Sequence, residues 1–392
     1  MKAFRRFVIL AHRYLGIALS ALVVVWFASG IVMMYAGGMP RMLPELRLER
    51  LSPLDLSAVT VTPDEALQRA GFDAGGRTLL LSVMNRPAYR FDTTVVFADS
   101  GEVLDELSVE QSRDIASRFV GRPPADVQHV ATLTEVDQWT LLQARQLPLH
   151  KFRVDDGEGT ELYVQPWTGE VSQLTTRRSR LLAWIGTIPH WLYFTALRAN
   201  QPLWYDLVVW TSTLACVVVL LGLGVGIVQW RRNKPLRAAI PYAGWTLWHY
   251  VTGAVFGVFT LTWAFSGLLS MEPYAWTRAT GLEVDREAFA GGAVDLSAFP
   301  RIDPVAWKRV LGERPVKEVE FTRIQGDPYY VVRHAPQSTV DGDRERLHQP
   351  YPVTGQRDAN RVLVSASALE VRTQPFTEAS LVTRLRRTLP DT

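Results

Sequence analysis

Two histidines, His12 and His249, lie at matching positions in two long apolar stretches of the chain. Adding 237 to each of six positions in the first stretch gives an identical residue in the second. The matching pairs are His12/His249, Gly16/Gly253, Trp26/Trp263, Ser29/Ser266, Gly30/Gly267 and Met34/Met271. Apolar helices share leucine and valine by chance, but they rarely share histidine, tryptophan and a Ser-Gly pair in one register. The sequence therefore predicts an internal repeat that contains both histidines.

An ionisable side chain inside a membrane span is costly, and it is by default a candidate functional residue. If the two stretches form parallel helices, His12 and His249 lie at the same depth on facing helices. Two neutral imidazoles in this arrangement can supply both axial ligands of a b-type haem. The alternative is that each histidine caps its helix at the level of the lipid headgroups and binds no metal.

The residues that follow His249 predict which side of that helix faces protein. Because a helix advances about 100° per residue, Gly253, Trp263 and Gly267 lie with His249 within roughly an 80° wedge. Small residues on one stripe let neighbouring helices approach closely. We expect this stripe to face protein rather than lipid.

A third histidine, His190, lies in an apolar, aromatic segment near the predicted outer face of the membrane. It suits a second haem, but the other visible spans contain no outer-side histidine to pair with it. By the repeat, its partner belongs in a segment that this chain lacks. The alternative is a histidine of the aromatic belt at the membrane interface.

The remaining histidines show no metal-type spacing, and we interpret them as ordinary surface or turn residues. They are His129, His150, His334 and His348. His150 is the least improbable exception, because it is close in sequence to the His190 region. The chain contains no HExxH, GxSxG or Walker A motif and no nucleotide fingerprint after a strand. Gly222-Leu-Gly-Val-Gly226 lies within a span, so it predicts a helix-packing contact.

Composition places these residues in an integral membrane protein. Of the 392 residues 47% are hydrophobic, and three long apolar runs interrupt an otherwise polar chain. This division predicts an α-helical membrane protein with substantial water-exposed domains. The net charge of +3 does not suggest nucleic acid. The single cysteine, Cys216, can form neither an internal disulfide nor a CxxC site, which excludes iron–sulfur and zinc sites within the chain.

The predicted organisation alternates membrane segments with α+β domains. It comprises an N-terminal tail and first span (1–36), an extracytoplasmic α+β domain (37–180), an interfacial apolar segment with the second span (181–230), a basic cytoplasmic loop (231–244), a third span (245–271) and a second, incomplete extracytoplasmic domain (272–392). The first apolar run is too long for the 7–15-residue core of a cleaved signal peptide.

Charge at the membrane flanks predicts the orientation. The basic residues are Lys2, Arg5, Arg6 and Arg13 at the N-terminus and Arg231, Arg232, Lys234 and Arg237 after the second span. Both clusters are expected on the cytoplasmic side by the positive-inside rule. The N-terminus is then cytoplasmic, and both polar domains face the outside.

The first polar domain shows helix and strand signals. Residues 61–71 predict a helix with Thr62 as N-cap, Pro63 in its first turn and Gly71 as its stop. The further predicted elements are strands at 78–84, 88–91, 94–98, 148–154 and 161–165 and a helix at 109–120.

The repeat continues beyond the third span with an offset of 241. This offset maps Pro63, Gly71, Pro87 and Tyr89 onto Pro304, Gly312, Pro328 and Tyr330. The second half lacks counterparts of residues from about 125 to 230, so we expect a truncated repeat that lacks a fourth span.

Several motifs of the chain resemble the PepSY-associated transmembrane helix family. They are His12-Arg-Tyr-Leu-Gly16, Trp26-Phe-Ala-Ser-Gly30, Glu161-Leu-Tyr-Val-Gln-Pro-Trp-Thr-Gly169, Pro189-His-Trp-Leu-Tyr-Phe194 and Trp248-His249 with Phe259-Thr-Leu-Thr-Trp-Ala-Phe-Ser-Gly267. The resemblance covers essentially the whole chain and implies four spans with extracytoplasmic PepSY modules. Some members are inner-membrane ferrisiderophore reductases that carry b-type haem. This chain departs from the family in having three spans and no second outer-side histidine.

Two functional hypotheses follow. In the first, haem b held by His12 and His249 takes an electron from a cytoplasmic or quinol donor in the bacterial inner membrane. A second haem near His190 then passes it to a ferric siderophore or another ferric chelate for iron uptake. In the second, the chain is a non-enzymatic, membrane-anchored PepSY module that binds or regulates a peptidase or envelope partner. A transporter subunit is disfavoured, because three spans offer no broken-helix binding site.

Overall fold

In a computed structural model of the chain, the described residues are 2–73, 76–230, 234–235, 239–273, 286–336, 360–373 and 376–388. The helices are α1 (Lys2–Ala36), α2 (Pro44–Arg50), α3 (Pro63–Arg69), α4 (Val109–Val120), α5 (Arg177–Ile185), α6 (Thr187–Trp191), α7 (Thr195–Arg198), α8 (Gln201–Gln229), α9 (Gly244–Ser270), α10 (Arg286–Ala290), α11 (Pro304–Leu311) and α12 (Glu378–Thr388). The strands are β1 (Thr78–Val83), β2 (Arg86–Phe91), β3 (Thr94–Phe97), β4 (Val127–Leu133), β5 (Leu149–Val154), β6 (Glu161–Val164), β7 (Val171–Thr175), β8 (Val316–Ile324), β9 (Asp327–His334) and β10 (Arg361–Ser365).

The chain forms two units. Residues 1–38 and 182–280 make a helical unit, and residues 39–181 and 281–392 make an α+β unit. Within the described residues, the helices long and apolar enough to cross a bilayer are Ala3–Ala36, Gln201–Gln229 and Gly244–Ser270. The prediction of three apolar membrane helices is therefore confirmed.

In the helical unit, α8 packs against both α1 and α9. Helices α1 and α9 meet through side chains at two levels. The ring centroids of His12 and His249 are 6.1 Å apart at one level, and those of Phe27 and Trp263 are 4.3 Å apart at the other. Because residue numbers rise together at both levels, the two helices run in the same direction and nearly in register.

The apolar segment between residues 181 and 197 is neither a single interfacial helix nor the first part of the next span. It forms short helices, interrupted where Leu192 adopts a left-handed conformation with φ 54°. The next membrane helix begins afresh, with the Asn200 side chain accepting a hydrogen bond from the backbone N–H of Leu203. This break turns His190 back towards α1, which a continuous helix would not do.

Local capping sets the helix ends in the α+β unit, and the helix start predicted at Thr62 and Pro63 is confirmed. Thr62 and Glu65 form a reciprocal capping box at the start of α3, and Pro63 occupies its first turn. Ser108 and Gln111 form a second capping box at the start of α4. Gly121 ends α4 in the left-handed conformation with φ 66°, which glycine adopts without steric cost.

The α+β unit contains a six-stranded antiparallel sheet of order β10-β9-β8-β1-β2-β3. The sequence predicts two extracytoplasmic domains, at 37–180 and 272–392. Strand β1 of the first segment pairs directly with β8 of the second, so both segments contribute to one sheet. Both strands are largely buried, so each needs a backbone partner on its open edge. Each half of the sheet follows the same order of elements: a Leu-Ser-Ala 3-10 turn, a short helix that begins with proline, and antiparallel strands.

A second sheet, of order β4-β5-β6-β7, carries α4 on one face. The predicted strands near residues 148–154 and 161–165 are confirmed as β5 and β6. Strands β4 and β7 are not among the elements predicted from the sequence, although β4 alternates in burial along its length. The result is an α+β unit with two antiparallel sheets.

Candidate functional site

The structure brings His12 of α1 and His249 of α9 together, with their ring planes inclined at 35°. A bond between a metal and an imidazole nitrogen is about 2.0–2.1 Å long, so two imidazoles facing one metal have centroids about 6 Å apart. The observed separation of 6.1 Å leaves room for one metal ion between the rings. The parallel helices predicted from the repeat therefore place these two side chains at one level.

Helix α8 orients the imidazole of His12. Nδ1 of His12 lies 3.0 Å from the backbone oxygen of Val218. A carbonyl oxygen only accepts, so Nδ1 donates and the lone pair of Nε2 is left free. Metal-ligating histidines use this arrangement, in which one ring nitrogen is held by a carbonyl and the other binds the metal. The Val218 carbonyl is thus a positioning group that the sequence analysis did not find.

Gly222, one helical turn after Val218, makes room for the same ring. A Cβ atom at Gly222 would lie 2.6 Å from Cε1 of His12. Gly226, a further turn along, lies against Tyr250 of α9, whose hydroxyl donates to the Gly226 backbone oxygen at 2.8 Å. The prediction that Gly222 and Gly226 serve helix packing is confirmed, and Gly222 additionally seats a candidate ligand.

The helical unit contains an open cavity of about 1420 Å³ between its helices. Its lining includes His12 and His249 as well as His190, Trp26 and Trp263. Pockets for drug-sized ligands are roughly 300–1,000 Å³, so this space is large enough for a macrocyclic cofactor.

The glycine stripe of α9 behaves differently from the prediction. Gly253 and Gly267 line the cavity, and a Cβ atom at either position would meet nothing within 4 Å. Gly253 therefore widens the space beside His249, and Gly267 widens the cavity about 27 Å further along α9. Neither glycine draws a second helix into close contact. The prediction of a close helix approach along this stripe is wrong at these two positions.

His190 lies against α1 at a second level of the cavity. Its Nδ1 donates to the backbone oxygen of Trp26 at 3.0 Å, and its ring stacks on Trp263 with centroids 6.0 Å apart. Gly30 makes the close approach feasible, because a Cβ atom there would lie 3.0 Å from Cε1 of His190. Eighteen residues of α1 separate Gly30 from His12, which corresponds to about 27 Å of helix.

The state of His190 suits metal binding, although no second histidine faces it among the described residues. Burial lowers the pKa of His190, so the imidazole is predominantly neutral at pH 7. With Nδ1 donating, Nε2 carries the free lone pair. Among the described residues, no second histidine contacts this ring, and its close aromatic neighbour is Trp263.

Trp26, which lines the cavity, carries an indole N–H group without a hydrogen-bond partner among the described residues. Its Nε1 is buried and has no hydrogen-bond partner in the described part of the chain. An unsatisfied buried donor costs about 1–3 kcal/mol. A bound group with an oxygen acceptor, such as a cofactor carboxylate, would remove this cost. The donor set and the space therefore both fit a haem.

The other described histidines take structural roles, but the expectation of surface positions is wrong for two of them. His150 is buried, and its Nδ1 is 2.9 Å from the Ser112 hydroxyl. His334 is buried, and its Nδ1 donates to the Pro315 backbone oxygen at 3.1 Å. His150 lies on β5, which the sequence predicts, and His334 lies at the end of β9, which it does not; both strands are largely buried. His348 lies outside the described residues.

No group of three or more His, Cys, Asp or Glu side chains suited to a metal ion occurs among the described residues. A haem iron with two axial histidines has only two protein ligands. The absence of a larger group therefore does not bear on the pair of His12 and His249.

Three apolar helices and an α+β unit with two antiparallel sheets define a multi-pass membrane protein. The family model of the PepSY-associated TM region matches residues 9–298, about three quarters of the chain. The chain therefore belongs to this family. The match includes α8, α9 and most of α1, together with both His12 and His249. A comparison with curated proteins found no significant match.

Proposed function

We propose that this protein is a b-haem electron-transfer protein of the bacterial inner membrane. It reduces a ferric siderophore or another ferric chelate on the periplasmic side for iron uptake. The observation that carries the proposal is the facing pair of His12 and His249, with centroids 6.1 Å apart. A headgroup cap does not require two imidazoles to face each other across a cavity.

The residues of the chain have distinct roles in this proposal. His12 and His249 are the axial ligands, Val218 holds the His12 ring in the ligating tautomer, and Gly222 provides the space for it. A haem b bound here supplies a carrier that takes up and releases one electron. Trp26 and Trp263 line the route towards His190, whose free Nε2 belongs to a second haem site in the proposal.

The proposed direction of electron flow depends on orientation. The basic N-terminus of α1 and Lys234 after α8 favour the cytoplasmic side for the level of His12 and His249. A cytoplasmic or quinol donor then delivers electrons to that level. One electron converts the ferric chelate to its ferrous form, and ferrous iron is held less tightly by oxygen ligands and is released.

The test is a visible absorption spectrum of protein expressed with ample haem and purified in detergent. We expect a Soret band that sharpens on reduction with dithionite and split α and β bands. The reduced protein, freed of excess dithionite, should be reoxidised by a ferric chelate with release of Fe(II) to a ferrous-specific chromophore.

The matched control is the same chelator loaded with Ga(III), which has the charge of Fe(III) but accepts no electron under these conditions. Reoxidation by the gallium chelate would mean that another oxidant is present. A colourless protein would contradict the proposal, and the non-enzymatic PepSY module would then be the better hypothesis.

A substitution at Gly222 tests the seat of His12 without removing a ligand. In Gly222→Ala the new Cβ meets the His12 ring at 2.6 Å, so the ring must move away from Val218. Overpacking costs about 1–3 kcal/mol, which predicts haem binding weaker by roughly 5- to 150-fold. The measurement is haem content per protein by pyridine haemochrome assay.

Gly224→Ala is the matched control, because it lies on the same helix and its Cβ would meet nothing within 4 Å. Both changes alter helix propensity equally. Equal haem loss in the two variants would show that Gly222 does not seat the ligand.

A further inference from the structure

The α+β unit contains a small cavity of about 60 Å³ that the proposed electron transfer does not use. Its walls come from α2, the β1–β2 turn, α4 and the β6–β7 turn. Three arginines line it: Arg47, Arg50 and Arg118. Glu170 also lines the cavity, but its carboxylate is paired with Arg47 and Arg90. Arg50 and Arg118 therefore have no carboxylate partner among the described residues.

Arg47 has one hydrogen-bonding nitrogen left over. Its Nε lies 3.5 Å from Oε1 of Glu170, and its Nη2 donates to Oε2 of Glu318. Its Nη1 is buried and has no partner among the described residues. Leaving a buried charged donor without an acceptor is costly, so an acceptor from outside the chain is expected beside Nη1.

The charges around Arg47 do not cancel. Four guanidinium groups share three carboxylates in one network, formed by Arg47, Arg77, Arg90, Arg333, Glu170, Glu318 and Glu320. Arg50 and Arg118 add positive charge at the exposed side of the cavity, and the described residues provide neither with an ion pair. Three arginines and one carboxylate, that of Glu170, thus line the cavity, and this excess of positive charge favours anions.

Helix α2 is held in place before any ligand arrives. Nζ of Lys317 on β8 donates to the backbone oxygens of Glu49 and Leu51 at the end of α2. This anchor fixes the part of the helix that carries Arg47 and Arg50. A site that is already formed loses less entropy when it binds a ligand.

We propose that this cavity binds a small oxyanion, either a phosphate or a carboxylate group, between Arg47, Arg50 and Arg118. Guanidinium groups recognise both kinds of group through paired hydrogen bonds. The volume of 60 Å³ is about twice the share of one liquid water molecule, which fits one such group. The free anion and a larger molecule that carries it present the same chemistry to the arginines.

The test is calorimetric titration of the full-length protein in a non-ionic detergent with inorganic phosphate and, separately, with acetate. Sodium chloride of equal ionic strength corrects for general screening. We expect saturable binding of at least one oxyanion. The combined variant Arg50→Gln, Arg118→Gln should bind at least about tenfold more weakly, because each charge-assisted hydrogen bond contributes on this scale.

Arg153→Gln is the matched control, since Arg153 is an exposed arginine on β5 away from the cavity lining. Its affinity should equal that of the unmodified protein. Binding of phosphate alone or of acetate alone supports the proposal and identifies the group. Absence of saturable binding up to about 10 mM, or equal affinity in the combined variant, would mean that the cavity holds only water and would overturn the proposal.

Discussion

Replacing His249 by alanine is expected to abolish the six-coordinate haem spectrum of the purified protein. The imidazole of His249 faces that of His12 at a centroid distance of 6.1 Å, and no other histidine lies at this level among the described residues. With one axial ligand removed, the narrow α and β bands of the reduced protein should disappear. His12→Ala should have the same effect, because removing either histidine leaves only one axial protein ligand for the haem iron.

Three comparisons make this result specific. His129→Ala removes a partly exposed histidine of the α+β unit and should leave the spectrum unchanged. His190→Ala should leave the bands of the His12/His249 site in place, because it acts at a level about 27 Å away along α1. Added imidazole should restore the bands in His249→Ala by entering the cavity beside the missing side chain. A His249→Ala protein with unchanged reduced bands would rule out the facing pair as the ligands.

Replacing Glu318 by alanine is expected to cause the largest loss of stability in the α+β unit. The side chain of Glu318 is only 1% exposed, and it accepts hydrogen bonds from Arg47 and from Nη1 of Arg333 at 2.8 Å. Removing one partner of a buried ion pair costs about 3–5 kcal/mol, because the remaining charges stay buried without compensation. This corresponds to a fall in Tm of roughly 10 °C, measured by scanning calorimetry in detergent.

Glu313→Ala is the matched control for this prediction. Glu313 pairs with Lys308 at 3.1 Å, but both side chains are well exposed, at 84% and 66%. An exposed pair contributes about 0–1 kcal/mol, so Tm should hardly change. Similar Tm values for Glu318→Ala and the unmodified protein would contradict the view that this network supports the α+β unit.

The same carboxyl group predicts how stability depends on pH. Burial by itself would raise the pKa of Glu318, but the guanidinium groups of Arg47 and Arg333 outweigh this effect and lower the pKa below its ordinary value of 4.5. A lowered pKa in the folded state contributes stability above the ordinary pKa, and this contribution is lost as the pH falls through the folded value. Acidification from pH 6 to below 4.5 should therefore lower Tm less in Glu318→Gln than in the unmodified protein.

The sequence by itself determined the elements whose signals are local. Runs of apolar residues long enough for a bilayer predicted α1, α8 and α9. The side chain of Thr62 and the proline that follows it predicted the start of α3, since capping involves neighbours in the chain. The shared register of His12 and His249 also followed from the sequence, because parallel helices with equal spacing keep equivalent residues at one level.

Only the tertiary structure decided what surrounds those histidines. Val218 and Gly222 of α8 orient and seat His12, yet a backbone carbonyl and a glycine carry no sequence signal for such a role. The glycines of α9 line a cavity rather than a helix contact, because helix spacing depends on all three helices together. The break at Leu192 that returns His190 to α1 likewise depends on packing.

In the α+β unit, pairing between distant strands was beyond the reach of sequence reasoning. Strands β1 and β8 are more than two hundred residues apart, and either edge could have paired elsewhere by its local pattern. Their union brings Glu318 beside Arg47 in the buried ion network, and it places Lys317 of β8 where it anchors α2, one wall of the arginine-lined cavity. Local interactions can be read from neighbouring residues, whereas contacts between distant segments arise from the free energy of the whole packed unit.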